Sequence, residues 1–429
     1  MTQPEQTQAA VYVIGAGQTV FKRWPKRDHI DLAREAVQAA LRDADFSEGD
    51  RLERVWFGNC GMHFWGQSNI RGQAVCAPLA AEGLVPRSPE VINVEGGCAT
   101  GALAAYGAIG DLLAGRARFS LALGVEKTLI AHDPAKILKL FASGMDQWRR
   151  DEDLAWYQEQ ALNIGETFAP APDRIILLDV SALHARAHME RYGVTAEQVA
   201  LVASKSHAHG ALNAFAQYQT EMSAAEILAD HQVLSPFTRS MCAPVSDGAA
   251  AVIFASAEGL AELSPAQRAR AVPVLACEMS GGERASWDAE GPSARAARRA
   301  YKRVGMSPDD IHIAEIHDAT SYSEILRLEE LGFCSPGDAA RFSERGETRL
   351  DGLLPVNTSG GLVSKGHPLG ASGLAMIREV STQLRREGER RQCQPRRGEL
   401  AVGLSQCGGG LLGFQEAASV VTLLGAPTL

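Results

Sequence analysis

Three short glycine-rich runs carry the side chains that could do chemistry. In the first, Glu95-Gly96-Gly97-Cys98-Ala99-Thr100-Gly101, a cysteine stands at the first turn of a helix built from small residues. The N-terminus of a helix favours thiolate over thiol, and the glycines let a substrate approach the backbone N–H groups. In the second, Asn357-Thr358-Ser359-Gly360-Gly361 leads to Gly366-His367-Pro368-Leu369-Gly370-Ala371-Ser372-Gly373. Here a histidine is held between glycine and proline, just before another helix of small residues, with room for a ligand. In the third, Ser405-Gln406-Cys407-Gly408-Gly409-Gly410, glycines remove the side-chain walls around a second cysteine. Taken alone, Cys98 reads as an ordinary buried cysteine and Cys407 as a weak signal. Together the runs supply two thiols and an imidazole.

Other groupings carry less. His184 and His188 stand four apart on a helix, the spacing of two zinc ligands, but no acidic third ligand accompanies them, and a solvated helix face is expected. His207 and His209 are two apart and point differently on a helix. The basic run from Arg385-Arg386 to Arg396-Arg397 is interrupted by Glu387 and Glu389, and Glu399 follows it, so it reads as a solvated loop rather than a phosphate site.

The elements that must position these groups alternate. Val11–Ile14 reads as a buried strand ending in a Gly15-Ala16-Gly17 turn; the third glycine of a dinucleotide fingerprint is missing. A helix over Ile30–Leu41, strands over Val55–Gly58 and Val91–Val94, a helix over Cys98–Leu113 and a strand over Phe119–Val125 follow. That alternation predicts a parallel α/β sheet covered on both faces. From Glu126 to Met241 helical patterns dominate, including a capping box at Thr195 to Gln198, which reads as an inserted, mostly helical subdomain. Ala249–Ala255 returns to the sheet. A second half repeats the grammar: strand Val272–Ala276, helix Ser293–Arg303, a helix starting at Ser307, and strands Ile313–Ile316 and Leu400–Leu404. The boundaries expected are 1–125 with 243–258, then 126–242 as the insertion, then 270–429.

Composition narrows the class. The chain has 429 residues and a formal charge of -9, which argues against nucleic acid or an anionic membrane as partner. No apolar window is long enough to span a membrane. The polar opening residues are read as carrying no signal peptide, and eight scattered cysteines without a Cys-x-x-Cys pair suggest neither a disulfide framework nor zinc. A cytoplasmic chain is expected.

The three runs, in their order and spacing, resemble the thiolase superfamily over nearly the whole chain. His317-Asp318-Ala319 stands where better-known thiolases carry Asn-Glu-Ala, as in the sterol-carrier-protein type. The stretches around Lys205-Ser206-His207 and Pro244 to Ala250 are similar to that branch too. The resemblance implies an α/β thiolase fold with duplicated αβαβα layered halves and an inserted helical loop domain. It implies Cys98 as the nucleophile on a 3-oxoacyl-CoA, His367 as its base and Cys407 as acid and base. The backbone N–H groups of Cys98 and Gly409 would form one oxyanion hole, and His367 with a group ordered by His317 the other. It further implies coenzyme A as co-substrate with no tightly bound cofactor or metal, a homodimer or dimer of dimers, and room for a small zinc-ribbon and OB-fold partner subunit. The expected reaction is thiolytic cleavage, as in β-oxidation. Trp65, Trp148, Trp156 and Phe168 could line a pocket for a bulky acyl group such as an aroylsuccinyl-CoA. The rivals are a lipid-transfer-like retro-aldolase of steroid side chains, a decarboxylating ketoacyl synthase and a non-catalytic acyl-CoA-binding subunit.

Overall fold

The computed structural model describes residues 10–129 and 133–427; the opening residues 1–9, read above for a leader, lie outside them. The strands are β1 (Val11–Gln18), β2 (Arg54–Gly58), β3 (Glu90–Val94), β4 (Phe119–Lys127), β5 (Gln232–Leu234), β6 (Phe237–Thr238), β7 (Asp247–Ser256), β8 (Val272–Gly281), β9 (Ile313–Ile316), β10 (Val402–Gly409) and β11 (Ala418–Gly425). Nine of them form one sheet in the order β3-β2-β4-β7-β1-β8-β11-β10-β9, with β5 and β6 as a separate ribbon. Read outward from the β1–β8 pair, five strands lie on one side (β1-β7-β4-β2-β3) and four on the other (β8-β11-β10-β9). In each half two parallel strands lie at the edge, β3-β2 or β9-β10. The halves meet where β1 pairs antiparallel with β8, Tyr12 opposite Pro273.

The expectation of a parallel sheet is therefore corrected: the sheet is mixed. β2, β3 and β4 run parallel, but β7 pairs antiparallel with both β4 and β1. The long insertion leaves the sheet after β4 and returns at β7, whereas the matching antiparallel pair β10–β11 is joined by residues 410–417 alone. Full burial of every residue of β4 and β7 still matches a sheet covered on both faces.

Three element boundaries differ from the sequence reading. Gly15-Ala16-Gly17 is not a turn, because β1 continues through Gln18. The two glycines are where the helix His29–Asp43 crosses the strand: a Cβ on Gly15 would lie 2.6 Å from Ala44 Cβ, and one on Gly17 2.5 Å from Ala40 N. Ser307 caps only a short 3-10 turn, Pro308–Asp310, which runs directly into β9. β10 continues to Gly409, so Cys407 lies inside a strand rather than after one.

The helices Thr100–Leu113 and Leu369–Leu384 form the layer between the halves. They touch through small residues: a Cβ on Gly101 would sit 2.8 Å from Gly370 O, and one on Gly373 2.5 Å from Ala102 N. This backbone-to-backbone approach brings the start of one helix, beside Cys98, against the start of the other, beside His367. The segment from 134 to 229 is helical throughout its regular elements, as the insertion reading expects. An aromatic cluster of Tyr157, Phe168 and Phe414, with Trp156 against it, packs there.

Candidate active site

Cys98 sits in the 3-10 turn Gly97–Ala99, one turn ahead of the helix Thr100–Leu113. Gly97 enters that turn at φ 58, left-handed backbone that a side chain would strain. Cys98 Sγ and one ring nitrogen each of His317 and His367 lie within 4.8 Å of one another, all buried. The rings of His317 and His367 meet edge to face with centroids 5.2 Å apart. Such atoms are grouped closely enough to act on one substrate atom, and close enough to share a metal ion. Cys407 reaches the same place from β10, its Sγ donating to Cys98 O at 3.3 Å. Gly409, two residues on, abuts the nucleophile turn: a Cβ there would be 2.5 Å from Cys98 N.

The protonation pattern follows from burial and partners. Burial pushes the Cys98 thiol up to about 12, with Glu416 adding to the shift. Desolvation thus outweighs the helix-terminus effect expected from sequence, and Cys98 rests as a thiol. Burial, then the neighbouring His317, holds His367 well below the ordinary histidine range, so it rests neutral. His367 Nδ1 lies 2.8 Å from Ser372 Oγ, whose own proton goes to Pro368 O at 3.0 Å. Ser372 therefore accepts from Nδ1–H, and the lone pair stands on Nε2, which has no partner. Ser246 Oγ fixes the main chain of His367 by accepting its N–H at 3.1 Å. A neutral imidazole with a free Nε2 beside a neutral thiol is a base waiting for its acid. Burial also drives the Cys407 thiol far up, as do Cys98 and Glu416, so Cys407 rests as a proton donor.

Several participants were missed in the sequence. Glu416 is buried, its Oε1 3.5 Å from His317 Nδ1 and 3.0 Å from Arg327 Nη2. Only a lone acid interrupting the apolar run into β11 marked it. Glu126 accepts from Cys60 N at 3.0 Å, Gly61 N at 2.9 Å and Gly370 N at 3.2 Å, tying the end of β2 to the helix that follows His367. Its carboxyl is pushed up to about 7 by burial, against the pull of those amides. Cys60 is a third thiol nearby, 3.0 Å from Thr100 Oγ1.

Other sequence candidates fall elsewhere. His184 and His188 are not on a solvated face: they are 8% and 3% exposed, because that face of the helix Ile176–Tyr192 packs on Tyr322. His188 Nε2 pairs with Glu329 at 2.8 Å. His207 and His209 bind the main-chain oxygens of Ser240 and Asn357. The basic run is partly buried rather than a solvated loop, since Arg385 pairs with Asp43 and Arg391 with Glu379. Of the four aromatic candidates, Trp148 is 99% exposed and Trp65 donates to Lys127 O. Trp156 and Phe168 belong to the insertion's aromatic cluster, which adjoins the third glycine run where Leu411 N donates to Gly144 O at 2.7 Å.

Comparison with known proteins agrees with this layout. Residues 11–233 match the thiolase N-terminal domain and residues 278–422 the thiolase C-terminal domain-like family. Bovine (Bos taurus) sterol carrier protein 2 is 33% identical over 97% of this chain and 75% of its own length. An acetyl-CoA acetyltransferase of Methanothermobacter thermautotrophicus is 33% identical over 90% and 93%. A benzoylsuccinyl-CoA thiolase subunit of Thauera aromatica is 29% identical over 90% and 91%. Among solved structures, an Ltp2-ChsH2(DUF35) aldolase superposes with a TM-score of 0.75 at 23% identity, covering 97% of this chain and 98% of that one. Human mitochondrial 3-ketoacyl-CoA thiolase in complex with CoA gives 0.68 at 16% identity, covering 98% of each chain. The chain belongs to the thiolase family, in its sterol-carrier-protein branch, and is an enzyme of the acyltransferase class.

Proposed function

We propose that the protein is a CoA-dependent thiolase that cleaves a 3-oxoacyl-CoA. The observation that carries this is the convergence of Cys98, His367 and Cys407, with His317, from three separate glycine runs and a fourth strand end. His367 Nε2 takes the Cys98 proton as sulfur attacks the 3-keto carbon. The carbon–carbon bond breaks, leaving an acyl thioester on Cys98, and Cys407 protonates the departing enolate of the shortened acyl-CoA. CoA sulfur then displaces the acyl group, its proton passing back through the same groups. The close seating of Gly409 against Cys98 N supports the two amides as one oxyanion hole; His367 Nε2, once it carries the Cys98 proton, forms the other with a group ordered by His317.

CoA is the co-substrate in this reading, without a tightly bound cofactor or metal. A homodimer or dimer of dimers, a cytoplasmic setting and a role in β-oxidation-type acyl-CoA breakdown are part of the same proposal. So is the division into residues 1–125 with 243–258, 126–242 and 270–429. The acyl group is bulky or aromatic, as in an aroylsuccinyl-CoA. Support comes from the Thauera relative and from the aromatic cluster beside Leu411. A zinc-ribbon and OB-fold partner is consistent with the DUF35 complex among the structural neighbours.

The same neighbour is an aldolase, which motivates the second reading, a retro-aldolase of steroid side chains. Incubation with CoA and straight-chain, steroidal and aromatic 3-oxoacyl-CoAs, and in parallel with a steroidal 3-hydroxyacyl-CoA, followed by mass spectrometry, separates the two. Thiolysis with an acyl adduct on Cys98 is expected. Cleavage of a 3-hydroxyacyl-CoA without an adduct supports the aldolase, and no thiolysis of any member, with or without a partner, overturns the main reading.

A further inference from the structure

Glu416 is a buried carboxylate beside the reacting cluster, and nothing in the mechanism above uses it. It is seated there by construction. Gly408 follows Cys407 directly, and a Cβ at that position would overlap the Glu416 carboxylate. One oxygen, Oε1, faces His317 Nδ1 at 3.5 Å and Arg327 Nη2 at 3.0 Å, ion-pair contacts rather than aligned hydrogen bonds, so Oε1 is left able to accept. The other, Oε2, accepts from Ser293 Oγ at 2.9 Å. Gln406 completes the cradle: its Oε1 accepts from the His317 main-chain N–H at 3.0 Å, and its Nε2 donates to Ser293 Oγ and Ser419 Oγ. Arg327 is itself held by Glu330. The groups facing the carboxylate are thus His317, Arg327, Ser293 and Gln406, with Cys98 and Cys407 beyond.

Arg327 and His317 overcome the penalty of burial and hold the Glu416 carboxyl below its ordinary range, so it is ionised and can only accept. The sole donor His317 can offer it is Nδ1–H. His317 Nε2 has no partner, and one ring nitrogen of His317 lies within 4.8 Å of Cys98 Sγ and a His367 ring nitrogen.

We infer that Glu416 is a positioning residue for His317: it accepts Nδ1–H, fixes the ring orientation and tautomer, and so presents the Nε2 atom of His317 to the reacting carbonyl and enolate. Its Nε2 then enters the reaction as an acceptor that orders a water or thiol against the substrate oxygen. This is the arrangement in which a carboxylate orients a catalytic histidine, here supplied from the segment after the third glycine run. The inference rests on the thiolase reading of the site.

The test uses the full-length protein with 15N-labelled histidine, the His317 signals being assigned by their loss in His317→Asn. A protonated Nδ1 and an unprotonated Nε2 are expected at neutral pH in the resting enzyme; an Nε2–H tautomer would overturn the inference without any mutation in the carboxylate. In Glu416→Gln the amide can donate to Nδ1, so the tautomer should switch and kcat for 3-oxoacyl-CoA cleavage should fall by about 10- to 100-fold with KM little changed. Glu416→Asp should recover the tautomer and part of kcat. An unchanged tautomer and kcat in Glu416→Gln would defeat the inference. If the native protein forms no Cys98 thioester, the thiolase reading fails instead, so the two failures are distinguishable.

Discussion

The thiol of Cys407 donates to the main-chain oxygen of Cys98 at 3.3 Å, although the two residues are 309 positions apart. That contact joins the end of β10 in one half to the turn before the central helix of the other. It holds the Cys407 thiol against the backbone of the Cys98 turn. The two thiols therefore need not compete for one base. In the proposed mechanism His367 serves Cys98 from Nε2, while Cys407 keeps its proton on a carbonyl until an enolate forms. Four consequences are measurable.

Alkylation should report the resting thiol of Cys98. With its thiol pushed up to about 12 by burial and His367 held neutral, there is no preformed thiolate–imidazolium pair. The rate of iodoacetamide labelling of Cys98, read by peptide mass, should rise roughly tenfold per pH unit up to at least about pH 9. A plateau between about pH 6 and 8 would mean that the ion pair exists at rest. In Cys98→Ala no acyl adduct should form.

Replacement of Cys407 should split the reaction. Cys407→Ala removes the proton donor to the enolate but leaves Cys98 and His367 in place. Cleavage of 3-oxoacyl-CoA should fall by about 10²- to 10⁴-fold, while acylation of Cys98 from a simple acyl-CoA persists. Loss of both, with unchanged circular dichroism, would place Cys407 in the acylation step.

A single methyl should disturb the site at Gly409. The added Cβ would lie 2.5 Å from Cys98 N, a backbone atom that cannot swing aside. Gly409→Ala should lower stability by about 1–3 kcal/mol and kcat by about 10²-fold, measured by denaturant unfolding and turnover. Native kcat in a folded variant would remove this strand end from the oxyanion hole.

Glu126 should give the fold a pH signature. Its carboxyl rises to about 7 in the folded protein from 4.5, chiefly through burial. A carboxyl raised on folding favours the native state most below its unfolded pKa, and that advantage fades as pH climbs through the folded one. Between about pH 4.5 and 7 the group should cost on the order of 3 kcal/mol. Glu126→Gln should flatten this part of the stability-versus-pH curve, whatever it does to absolute stability. Parallel curves for the two proteins would show that Glu126 does not titrate there.

Much of the site was legible because its chemistry is local. A cysteine, a histidine and a second cysteine each stand in a glycine run, and the glycines are required where backbone meets backbone. The resemblance then tied His317 to them and named the fold. Alternating strands and helices likewise pointed to a covered α/β sheet, and the helical patterns after β4 to helices there.

What tertiary structure alone decided is partnership and environment. Sequence gave no measure of desolvation, which reverses the helix-terminus preference at Cys98 and keeps it a thiol. Nor did it reveal that β7 runs against β4, since strand direction depends on where the 126–242 insertion returns the chain. The helix face of His184 and His188 was read as solvated because nothing local distinguishes a polar face turned to water from one turned onto Tyr322. Glu416 and Ser372 were silent for the same reason. A carboxylate or hydroxyl becomes part of a proton circuit only when a buried partner stands within hydrogen-bond reach, and His317 lies 99 residues away from Glu416 in sequence. Residue type set which reactions were possible here; burial and distance selected the protonation state from which they start.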